Sequence, residues 1–179
     1  MKTGPKDRHG RTEKENTELT TTATFTAITL TAAGVAAALD VRTRKIPNWL
    51  TFPAILLGLA LNVASAGAAG LWAAVLGTAA GIALLLAPFA MGGMGAGDVK
   101  ILAAVGALNG ATFAFRTFVY GTVAGGVMAV LVITANWSFS LAPRSRSLEG
   151  ASIRRVRAEK SFPYGVAIFV GTVAAYVLR

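Results

Sequence analysis

The sequence predicts an all-α protein, a polytopic bundle of about six membrane-crossing helices, and three observations predict it. Hydrophobic residues make up 54% of the 179-residue chain and charged ones only 14%, too few polar groups to cover a soluble core of this size. The charges are unevenly placed, with nine acidic and basic residues in the first 18 positions. Between Lys45 and Asp98 lie 52 consecutive residues without Asp, Glu, Lys or Arg. That run is long enough for two crossings of roughly 20 residues each and a turn between them.

Taken in order, residues 1–18 read as a disordered charged tail and 19–179 as one membrane domain. The first apolar segment covers about 20–39 and is rich in Thr and Ala; it ends at Asp40 without a small-residue cleavage site, so it reads as a span and not a signal peptide. The second covers about 49–66 and the third about 70–90, joined by an uncharged turn. The fourth runs from about 98 to 115, near the short limit for a crossing, and Arg116 separates it from the fifth at about 117–137. The sixth occupies 163–178. Glycines four apart, such as Gly77 and Gly81 or Gly106 and Gly110, suit close helix packing in a membrane.

Orientation follows from the loops. Arg42, Arg44 and Lys45 lie after the first segment, Lys100 beside Asp98, and Arg144, Arg146, Arg154, Arg155, Arg157 and Lys160 before the sixth. Six alternating spans put these three connections on one side, which the positive-inside rule makes cytoplasmic, with both termini outside. Five basic residues in the tail run against that placement, although four acids nearly neutralise them. The net charge of +9 belongs to these flanks and would meet anionic lipid head groups; it forms no nucleic-acid patch on a soluble fold. The absence of cysteine excludes thiol chemistry and Cys-ligated zinc, and His9, in the tail, has no companion at metal-ligand spacing. No cofactor or metal is expected.

Only two acids stand beside the apolar spans, Asp40 and Asp98. A carboxylate near lipid costs several kcal/mol by most estimates, which marks each as a functional candidate. Each also has a plain reading. Asp98 suits the N-cap of a helix, and Asp40, at a helix C-terminus, would pair with Arg42 or Arg44. On one membrane face together they suggest a dyad. Two carboxyls close enough to share a proton cannot both ionise, so one can draw a proton from water while the other hydrogen-bonds a carbonyl. Around them, Pro47 stops the first helix and Asn48 suits the N-cap of the second. Gly92, Gly93, Gly95 and Gly97 open backbone conformations closed to other residues. No Ser or Thr follows a Gly-Lys pair, so the glycines are not a nucleotide loop. Met91 and Met94 read as packing residues, and Arg42, Arg44, Lys45 and Lys100 as orienting charges that snorkel to head groups.

The segment Asp40-Val41-Arg42-Thr43-Arg44-Lys45-Ile46-Pro47-Asn48 resembles the D-x-R-x-x-x-I-P-N element of type IV prepilin peptidases. Gly95-Ala96-Gly97-Asp98-Val99-Lys100 resembles their G-x-G-D-x-K motif, and Pro163-Tyr164-Gly165 the P-[FY]-G element that opens their last helix. Order and spacing agree. The resemblance implies a membrane-embedded aspartic endopeptidase with Asp40 and Asp98 as the catalytic pair. Gly95, Gly97, Pro47, Asn48, Pro163 and Gly165 would shape the site or bind substrate. It also implies a membrane-anchored prepilin as partner, cleaved after its leader at the cytoplasmic face. The paired Cys-x-x-Cys region of the longer, bifunctional members is absent, so the match is to the short, peptidase-only form associated with tight-adherence (Flp-type) pili. Two other classes compete: an ion-coupled transporter subunit, in which the aspartates carry protons or cations, and a noncatalytic scaffold of a pilus or secretion complex.

Overall fold

The computed structural model describes residues 5–43, 46–139 and 164–178, the side chains of 5–15, 132–133 and 135–139 excepted. Among the described residues every regular element is helical: α1 (Pro5–Thr43), α2 (Asn48–Ala90), α3 (Ala96–Asn109), α4 (Ala111–Phe139) and α5 (Tyr164–Val177). His9 and the basic loop before α5 lie outside the described side chains.

Residues 5–18 of the charged segment supply the first turns of α1. Farther on, a run of threonines would expose many hydroxyls to an apolar surrounding. Five are satisfied within the helix instead: Thr20, Thr21, Thr24, Thr26 and Thr29 donate to the carbonyls four residues back, at 2.7–2.9 Å. One face, Thr29, Ala33, Ala36, Ala37 and Asp40, is buried. Past Thr43, Pro47 adopts an extended conformation (φ −74°, ψ 147°) and itself occupies the cap position of α2. Asn48 is therefore the first helical residue and not the cap, because the proline geometry already turns the chain and leaves no side-chain cap bond.

Helix α2 has two arms. Ala66 (φ −139°, ψ 15°) and Gly67 (φ 59°, ψ −134°) interrupt it, and the positive φ suits glycine. Beyond the break the chain folds back. Asn62 donates to the carbonyls of Ala107 and Leu108, while Gly77 lies against Gly106. On one straight helix Asn62 and Gly77 would stand about 22 Å apart, so both can meet the same stretch of α3 only in a hairpin.

The boundary expected at Arg116 falls instead at Gly110, whose φ of 84° ends α3. Arg116 is exposed on the side of α4, where a long cation can point outward without breaking the helix. Helix α3 is central: between Asp98 and Leu108 only Lys100 is not buried. Its neighbours approach closely because the contact residues are small. A methyl group on Gly58 would lie 2.8 Å from the Ala107 backbone, and one on Gly81 2.7 Å from that of Ala103.

Large apolar side chains face the other way. Phe52, Leu56, Trp72, Leu76, Val123 and Leu131 are exposed, while alanines, glycines and threonines fill much of the interior. Small residues inside and large apolar ones outside is what lipid as solvent selects. Three helical stretches are long and apolar enough to cross a membrane, Asn16–Thr43, Asn48–Ala90 and Ala111–Leu131, and α5 is a shorter apolar helix.

Candidate active site

Asp40 sits in the last turn of α1 and Asp98 in the first turn of α3, and both are buried, at 8% and 6% exposure. The fold brings them within electrostatic reach of one another. Each carboxylate accepts one backbone N–H from the start of a helix. Gly165, in the first turn of α5, donates to Asp40 Oδ2 at 2.9 Å. Gly95, the cap of α3, donates to Asp98 Oδ2 at 3.2 Å. Asp98 is thus the third residue of its helix and not its N-cap; a carboxylate there reaches back to the cap amide, one half of a capping box. Asp40 stands at the unfavourable end of its own helix dipole but at the favourable end of α5.

The remaining motif residues join these helices. A methyl group on Gly165 would lie 2.9 Å from Asp40 Oδ2 and 3.0 Å from its Cβ, so only glycine lets α5 come this close. A methyl group on Gly97 would lie 2.8 Å from Ile46 Cβ, so the buried Ile46 of the segment after α1 rests on the first turn of α3. Lys100 Nζ donates to Asn48 Oδ1 at 2.7 Å, which ties the start of α2 to the start of α3. That pairing corrects one expectation, because Asn48 holds a cation instead of capping a helix; Lys100, read as an orienting charge, is bonded to a side chain of α2. Pro47 starts α2; Pro163 lies outside the described residues.

Of the glycines 92–97, only Gly92 has a positive φ, 74°, in the turn that closes α2. Gly97 is needed for close approach, whereas Gly95 supplies a cap amide from an extended conformation open to other residues. Met94 packs against the core, but Met91 is 86% exposed at the turn and does not pack as expected. Ile46 was legible as part of the motif, though its seat on Gly97 needed the fold. No group of three or more His, Cys, Asp or Glu able to hold a metal occurs among the described residues.

Apolar helices of spanning length around two buried carboxyl groups within electrostatic reach of one another define a membrane protein with a candidate acid–base site. A family model, that of the type IV leader peptidase family, matches residues 27–130, more than half of the chain and both aspartates. The chain belongs to this family, and that membership implies peptidase activity. Comparison with curated proteins found no match, and comparison with solved structures found none.

Proposed function

We propose that this chain is an aspartic endopeptidase that removes the leader peptide from type IV, Flp-like prepilins at the cytoplasmic face of the membrane. The observation that carries the reading is the convergence of Asp40 and Asp98, two buried carboxyls on different helices within electrostatic reach of each other. In the proposed mechanism they share one proton. The ionised carboxylate draws a proton from water as that water attacks the scissile carbonyl. The protonated one hydrogen-bonds the carbonyl oxygen and then supplies the proton to the leaving amine. Neither a metal nor a cofactor enters the scheme.

In this reading residues 19–179 form the peptidase domain and 1–18 a charged tail. About six crossings are made by α1, the two arms of α2, α3, α4 and α5. Helix α3, short at 14 residues, is sheathed by protein and need not match the full lipid thickness by itself. The dyad then lies with the basic connections at the cytoplasmic face, where anionic head groups gather and a prepilin leader would be reached. An apolar groove between α1 and the first arm of α2, lined by Ile28, Val35, Trp49 and Leu57, supports access for a substrate's apolar segment. The test is cleavage of a co-expressed Flp-like prepilin, with release of its leader and loss of that release in Asp40→Asn and Asp98→Asn.

A further inference from the structure

The three helices that meet at the candidate site meet again three turns away. Asp40 and Thr29 of α1, Asp98 and Asn109 of α3, and Gly165 and Tyr176 of α5 are each eleven positions apart. Eleven residues make three turns plus about 20°, so each pair shares a helix face, roughly 16 Å apart along the axis. The second layer is a directional chain of hydrogen bonds. Tyr176 Oη donates to Asn109 Oδ1 at 2.7 Å, and Asn109 Nδ2 donates to Thr29 Oγ1 at 2.8 Å. The Thr29 hydroxyl in turn donates to the Phe25 carbonyl at 2.7 Å. Thr29 is fully buried, and the Tyr176 ring is seated on Phe113 with centroids 4.5 Å apart.

Between the two layers α1 contributes only small side chains. Its buried face consists of Ala33, Ala36 and Ala37, with Ile168 of α5 in the same core cluster as Ala36 and the Phe169 ring against Gly34, while the Thr172 hydroxyl is spent on its own helix. An alanine face fixes axial register only weakly, whereas a polar contact between helices is satisfied at one register only. We infer that the Thr29–Asn109–Tyr176 chain is a positioning device that sets the axial register of α1, α3 and α5. By doing so it holds Asp40, Asp98 and Gly165 at one level. Its kinetic consequence rests on the peptidase reading; its geometric consequence does not.

The test uses the full chain in proteoliposomes, with Tyr176→Phe and Thr29→Val removing hydroxyls at nearly constant shape and Thr29→Ser as the conservative rescue. Cleavage of an Flp-like prepilin is measured per folded molecule. In parallel, spin labels on Val41→Cys and Ala96→Cys, both exposed and in a chain with no native cysteine, read the separation of the site ends of α1 and α3. Expected are a kcat lower by about tenfold or more with KM within about twofold, near-normal kcat in Thr29→Ser, and a shifted or broadened label distance in Tyr176→Phe and Thr29→Val. An unchanged label distance in those two variants overturns the inference, whatever the rate. So does an unchanged kcat per folded molecule accompanied only by lower thermal stability. If the wild-type chain cleaves no prepilin, the peptidase reading falls and the label distances alone decide the inference.

Discussion

The backbone N–H of Gly165 donates to Asp40 Oδ2 at 2.9 Å, across 125 positions of chain. This bond closes α5 onto α1 and turns the positive end of the α5 dipole toward a carboxylate that its own helix disfavours. It leaves no room for a side chain at position 165. In Gly165→Ala the new methyl would meet Asp40 Oδ2 at 2.9 Å and Cβ at 3.0 Å, and either α5 or the carboxylate must move. A displacement of about 1 Å at a reacting group costs up to about a hundredfold in rate. Gly165→Ala is expected to insert and fold, and to lower kcat for prepilin cleavage by about ten- to a hundredfold in a single-turnover assay.

The close packing of α2 on α3 makes a second prediction with an internal control. Gly77 and Gly106 lie backbone to backbone, so a methyl on Gly106 would collide with Gly77. Gly106→Ala should destabilise the detergent-solubilised protein by about 1–3 kcal/mol, the usual cost of overpacking. Gly126, also in a helix, has nothing within 4 Å of the position a methyl would take. Gly126→Ala should be neutral or stabilising by up to about 1 kcal/mol. Thermal unfolding of both variants, followed by circular dichroism, checks the contrast, and equal effects would contradict the packing described.

The proposed topology is tested by labelling single cysteines in intact cells and in inverted vesicles. Val41→Cys and Met91→Cys, at the ends of α1 and α2, should react from the cytoplasmic side. Ser65→Cys and Ala68→Cys, on either side of the α2 break, should react from the other. Labelling of 41 and 68 from the same side would break the alternating-span arrangement.

Much of this was legible in the sequence because lipid makes charge conspicuous. Asp40 and Asp98 stand out at the edges of an apolar run, and the motif residues around them are local. The uncharged turn between the second and third segments was readable for the same reason, and it falls at Ala66–Gly67. Charge also misled. Arg116 looked like a helix boundary, but the break is at Gly110, where backbone conformation and not polarity ends the helix. The Lys100–Asn48 bond spans 52 positions and Gly165–Asp40 spans 125, and no local pattern encodes either. Asn109 and Tyr176 are single polar residues in apolar stretches, and only the helix packing shows that they meet Thr29.

The central claim is that Asp40 and Asp98 act as one acid–base unit. Asparagine keeps the shape of each side chain but can neither take up a proton as a carboxylate nor share one with its partner. The most direct measurement is leader release from a co-expressed Flp-like prepilin by wild-type protein and by Asp40→Asn, Asp98→Asn and the double variant, with insertion checked in each. The account predicts release by wild type, none detectable from either single variant, and a double variant no worse than the singles, because groups that act as a unit lose activity non-additively. Normal leader release by a well-inserted Asp98→Asn or Asp40→Asn would contradict it.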